Sequence, residues 1–107
     1  MTVTMDARRR MARLLSSDAA QYRISKLSRD PGAFSADVID AFSANEDVAR
    51  LDETEVFAVC ELAERLRLCF GPGKEAFLAA HNGRCVLSVG FSALHRLSKL
   101  VLEPADG

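Results

Sequence analysis

The chain has 107 residues, 49% of them apolar and 27% charged, with a formal net charge of -1. That length holds one domain with a core of modest size, and the composition excludes a disordered chain and a strongly basic one. Its three cysteines, Cys60, Cys69 and Cys85, form an odd set without a CxxC spacing, which argues against a disulfide framework and a zinc module.

The first predicted helix runs from about Asp6 to Leu15, with Ala7, Met11, Leu14 and Leu15 on one face and Arg9, Arg10 and Arg13 on the other. Continuing that register would put Asp18 on the apolar face. Asp18 is therefore read as a new N-cap, with Gln21 in the capping-box position. A second helix follows to about Ser28, with Ala20, Ile24 and Leu27 as its apolar line.

After the Pro31-Gly32 turn, Ser35 is the expected N-cap of a short third helix, flanked by Phe34 and Ile39 in staple positions. It ends near Ala44, with Asn45 as C-cap. The fourth helix is predicted from Asp52 to Phe70, closed by Gly71-Pro72. Asp52 and Glu55 make a capping box, and Leu51 and Val56 a staple. Val56, Val59, Leu62, Ala63, Leu66, Cys69 and Phe70 form its main apolar stripe. A narrower line of Phe57, Cys60 and Leu68 runs along the back, interleaved with Glu61 and Glu64. Glu61 and Arg65 have the spacing of an ordinary ion pair along a helix.

A short fifth helix is expected from Lys74 to His81, closed by Asn82-Gly83. The stretch CVLSV has the β-branched composition of a short strand. Ser88, Ser92, His95 and Lys99 nevertheless recur at helical spacing, and that period decides for a sixth helix over 85–102, with Gly90 inside it. The expected fold is all-α: a compact bundle of about five to six helices, the two longest near 52–70 and 85–102. It forms a single helical domain over 1–103, with a polar tail at 104–107.

Charge is unevenly spread. Residues 1–30 carry seven basic and three acidic groups, residues 31–70 three and nine, and residues 71–107 four and three. Arg8, Arg9, Arg10 and Arg13 crowd the first helix, as phosphate-contacting arginines do. No aromatic residue interleaves with them, and no helix-turn-helix pattern follows. The acidic middle contains Asp52, Glu53 and Glu55, which suit a helix start. It also contains Phe57, Glu61, Glu64 and Leu68, an apolar-acidic strip that a helix face alone does not require.

Chemistry-bearing patterns do not converge. His81 and Cys85 are separated by Asn82-Gly83, and His95 stands apart, so no metal site is expected. Ser92 and His95 share a helix face, but no orienting third group accompanies them. GPGK at Gly71 to Lys74 lacks the spacing of a phosphate loop. No apolar run is long enough for a leader or a membrane span, so the expected location is cytoplasmic. Arginine outnumbers lysine eleven to three, which suits a GC-rich bacterial or phage genome.

The expectation is a small non-catalytic protein-binding module without cofactors, acting stoichiometrically as an inhibitor, immunity protein, antitoxin or dedicated chaperone. Its expected protein-binding residues are Phe57, Glu61, Glu64 and Leu68. The alternative is a nucleic-acid-binding regulator using Arg8, Arg9, Arg10 and Arg13. Surplus apolar surface on two helices leaves homodimer and monomer equally open.

Overall fold

The computed structural model describes residues 2–71 and 74–90. Five helices come first: α1 (Thr2–Leu15), α2 (Asp18–Leu27), α3 (Pro31–Phe42), α4 (Glu46–Ala49) and α5 (Glu53–Arg65). They are followed by two strands, β1 (Ala76–His81) and β2 (Arg84–Val89), paired as an antiparallel hairpin. The fold is therefore mixed, and the all-α expectation is corrected.

The amphipathic periods of the first three helices build the core. Ala7, Met11 and Leu15 of α1 are buried, as are Ala20 and Ile24 of α2 and Phe34, Val38, Ala41 and Phe42 of α3. Their spacings of three and four residues put each set on one helix face. Val48, Ala49 and Leu51 continue the core through α4 to the start of α5.

Caps set most boundaries, one step from the expected residue at α2 and five residues before the expected Ser35 at α3. Ser17, not Asp18, caps α2 and accepts from the Ala20 amide. Asp30 caps α3 and accepts from the Ala33 amide, with Pro31 in the first turn, where its missing N–H costs nothing. Asn45 opens α4 through a bond from the Val48 amide, instead of closing the helix before it. Asp52 caps α5 as expected, accepting from Thr54.

The expected helices over Lys74–His81 and 85–102 are overturned where the structure describes them. Asn82 and Gly83 have φ of 52° and 76°. Positive φ at both central residues is what a tight two-residue hairpin turn of the right twist demands, and Asn-Gly is the dipeptide that supplies it most readily. The turn sets the register, from His81 opposite Arg84 to Ala76 opposite Val89. Ala76, Leu78 and Cys85 turn inward and are buried, while Phe77 and Val86 on the opposite face are exposed. Gly90 ends β2 with its amide donating to the Glu75 carbonyl at 2.6 Å. A Cβ there would stand 3.1 Å from that oxygen, so the close approach favours glycine. Residues 91–102 of the expected sixth helix, and the tail at 104–107, lie outside the described residues.

The link from α5 to β1 joins the sheet. Ala76 donates to the Cys69 carbonyl and accepts from Gly71, and Phe70 forms a parallel bridge to Ala76. Phe70 meets Phe34 edge to face at 5.8 Å between centroids, tying this link to α3.

Candidate docking cleft

The four arginines of α1 have different fates. Arg10 donates to Asp6, to Glu53 at 2.8 Å and to the carbonyls of Ala49 and Leu51, and its guanidinium lies over the Phe42 ring. It clamps α1 to the junction of α4 and α5, supplying donors for carbonyls at the end of a helix. Arg8 reaches Asp40 and Ser43 of the α3 region. Arg9 and Arg13 are exposed and make no ion pair among the described residues. Two of the four expected phosphate contacts are thus occupied within the fold.

The helix α5 is rotated from the face its main stripe suggests, so that residues of both apolar lines are buried. Val56, Phe57, Cys60, Glu61 and Ala63 are buried, whereas Leu62 and Leu66 of the broader stripe stand one turn apart in solvent. Glu61 makes this rotation tolerable. It is only 3% exposed, and Arg23 of α2 grips both its oxygens, Nε donating to Oε2 at 2.9 Å and Nη2 to Oε1. The two-pronged contact neutralises a carboxylate that burial alone would expel. The Arg23 guanidinium also lies over the Phe57 ring, 5.7 Å from its centroid. Phe57, Glu61 and Leu68 are therefore inside the fold, and Glu64 is half-buried.

Because Glu61 is taken by Arg23, the expected pairing along α5 does not form and Arg65 is left over. The helix then ends through the left-handed turn at Arg67, whose φ is 58°. The Leu68 amide reaches back to Ala63 and the Arg67 amide to Glu64, the closing pattern that usually places glycine where Arg67 stands. Holding a side chain there costs about 1 kcal/mol. The turn sends Leu68 inward and leaves Arg67 exposed at the same cleft as Arg65.

Between the C-terminal ends of α2 and α5 and the start of α3 lies an open cleft of about 710 Å³. Leu27, Phe34 and Leu68 provide its apolar lining, with Phe34 and Leu68 nearly buried. Lys26, Arg29, Arg65 and Arg67 surround it, and of these Arg29, Arg65 and Arg67 have no side-chain ion pair or hydrogen bond among the described residues. Glu64 and Asp37 also line the cleft, as does Asp30, which is engaged as the α3 cap. A smaller depression of about 240 Å³ continues it along α2, sharing Lys26, Leu27 and Arg65 and adding Tyr22. Tyr22 is 65% exposed, with Lys26 over its ring, and Leu62 is 46% exposed on α5.

The thiols stand apart from this cleft, except one. Cys60 and Cys85 are buried, and Cys69 is exposed at the cleft wall. Burial raises the Cys60 thiol far above the ordinary range and Cys85 to about 11, with the nearby Glu55 carboxylate adding to the second. Such thiols stay protonated and unreactive at neutral pH. Among the described residues no group of three His, Cys, Asp or Glu side chains is placed to hold a metal ion, and no helix is long and apolar enough to cross a membrane.

Sequence reasoning found Glu64 and Leu68 but missed the cations that outnumber the acids beside them. The available signal was the basic residues closing two helices, Lys26 in the last turn of α2 with Arg29 just beyond it, and Arg65 at the end of α5 with Arg67 just beyond it. Comparison of the chain with protein-family models, with curated proteins and with solved structures gave no match.

Proposed function

We propose that this chain is a non-catalytic module that acts by binding another protein stoichiometrically, through the face where α2 and α5 end. An inhibitor, an immunity protein, an antitoxin and a dedicated chaperone all work in this way. The observation that carries the reading is the cleft, where Arg29, Arg65 and Arg67 surround an apolar floor and have no carboxylate partner among the described residues. Tyr22 adjoins it through the smaller depression along α2, and Leu62 and Leu66 add exposed apolar surface on α5. Tyrosine and arginine beside apolar anchors are the residue types that dominate binding energy at protein interfaces. The carboxylates of Asp37 and Glu64 in the same wall favour a protein over nucleic acid, because they would face a continuous phosphate backbone. A reducing cytosol is the proposed location, supported by three free cysteines, one of them exposed.

The test is site-specific photo-crosslinking in the cell that makes the protein. A photoreactive residue at Leu62 is expected to trap one discrete adduct that the same residue at Asp47 on α4 does not trap. Leu66→Asp should abolish it. An adduct equal at both positions, or none at Leu62, overturns the reading. A nuclease-sensitive adduct transfers it to nucleic acid, and one of twice the chain's mass identifies a second copy as the partner.

A further inference from the structure

Resting on that reading, we infer that the cleft takes a linear segment of its partner that carries one apolar anchor side chain flanked by carboxylates. The floor and the rim each demand one part of this ligand. Leu27 supplies partly exposed apolar lining, and Phe34 and Leu68, both 3% exposed, back it from α3 and from the turn after α5. Phe34 is held by its edge-to-face contact with Phe70, so the floor is preformed. A cleft of about 710 Å³ is far larger than one side chain. It accepts an anchor with its neighbouring backbone, within the several-hundred-Å³ range of preformed ligand sites.

The rim supplies the charge. Arg65 and Arg67 approach from the end of α5, and Lys26 and Arg29 from the end of α2. Guanidinium groups that meet no carboxylate among the described residues remain available for two-pronged contact with one from outside. Arg67 strengthens the case, because the turn sets a cation in the backbone conformation that glycine fills at least cost, and the cation reaches the cleft. The acids set the limit: Asp30, Asp37 and Glu64 repel a uniformly anionic chain. The segment therefore carries discrete carboxylates on the sides of its anchor, with neutral or basic residues opposite these acids.

The experiment uses two fluorescein-labelled twelve-residue peptides, each with a central Phe, one flanked by Glu on both sides and the other by Lys. Fluorescence polarisation with the full chain should give the Glu peptide at least a tenfold lower Kd, weakening as salt screens the contacts. Replacing its central Phe by Gly should cost at least fivefold. The double variant Arg65→Glu/Arg67→Glu changes two exposed side chains, and it should reverse the preference in favour of the Lys peptide. Equal binding of the two peptides, no binding of the Glu peptide at millimolar concentration, or a preference unchanged in the double variant overturns the inference. A protein still trapped at Leu62 in that event leaves the broader binding reading standing, whereas loss of trapping at Leu62 removes both.

Discussion

The arginines of α1 and those at the ends of α2 and α5 are the same residue type with opposite uses. On α1, Arg8 and Arg10 meet carboxylates brought by other parts of the chain, Asp40 and Glu53. At the cleft, Arg29, Arg65 and Arg67 meet none among the described residues. The nearest candidate for Arg65, Glu61, is already bound by Arg23. What separates a structural arginine from an available one is therefore the tertiary supply of carboxylates, not the local density of cations. The denser cluster is half spent and the sparser one is open.

A series of single substitutions breaks or upholds that contrast. Arg23→Ala leaves Glu61 charged and buried without its cation, and the expected loss is about 3 kcal/mol, the low end for a broken buried pair because Arg23 itself is half in solvent. Arg10→Ala removes its bonds to Glu53 and two carbonyls and its place over Phe42, at a cost of about 2 kcal/mol. Arg65→Ala should change stability by no more than about 0.5 kcal/mol, as an exposed residue without a partner does. Urea denaturation midpoints measure all three. A loss at Arg65 equal to that at Arg10 would erase the distinction between the two regions.

The same contrast explains what the sequence could and could not disclose. The cores of α1, α2 and α3 were legible because each helix has a single apolar face, although α1 starts at Thr2 and not at the expected Asp6. In α5 two apolar lines compete, and the helix period does not choose between them. The choice falls to Phe57 and Glu61, and it depends on Arg23, which is 38 residues from Glu61 in the chain. The hairpin was legible in principle. Asn82-Gly83 between AFLAAH and RCVLSV is a strong local turn signal. It was outweighed by a helical period of polar residues that includes Ser88 of β2 and otherwise lies beyond Gly90, outside the described residues. The cleft drew least notice because it is built from the ends of three helices, and its charges acquire meaning only once Glu61 is seen to be taken.

A smaller effect concerns Arg67. Its φ of 58° is one that glycine adopts freely, so Arg67→Gly should relieve local strain. Part of the gain is returned through the greater freedom of glycine in the unfolded chain, leaving a net stabilisation of about 0.5 kcal/mol. Thermal unfolding monitors it, and the peptide titrations monitor the accompanying loss of one rim cation. A variant more stable and weaker in binding separates the two roles of this position. One less stable than the parent would show that the Arg67 side chain supports the fold.

The last test asks whether the hairpin is fastened to the helices as α1 is, by an ion pair with a structural task. Glu55 does not close the capping box at the start of α5. Its Oε2 accepts from the Cys85 amide at 2.7 Å and from Arg84 Nε at 3.0 Å, so one carboxylate oxygen holds the first turn of α5 against the start of β2. The Cys85 amide bond first, and then Arg84, lower the Glu55 pKa below its ordinary value. A carboxyl that is more acidic in the folded than in the unfolded chain binds fewer protons when folded, and stability therefore rises with pH between the two values. The contribution is fully present above the unfolded pKa, near 4.3 in free chains, and is lost as pH falls through the folded value. Glu55→Gln keeps an acceptor for the Cys85 amide but cannot titrate. The difference in urea midpoint between parent and variant should be constant above about pH 5.5, more than one unit over the unfolded value, and should shrink as the pH falls below 4.5. A difference that grows on acidification reverses the sign and would mean that Glu55 is not held by Cys85 and Arg84 in solution.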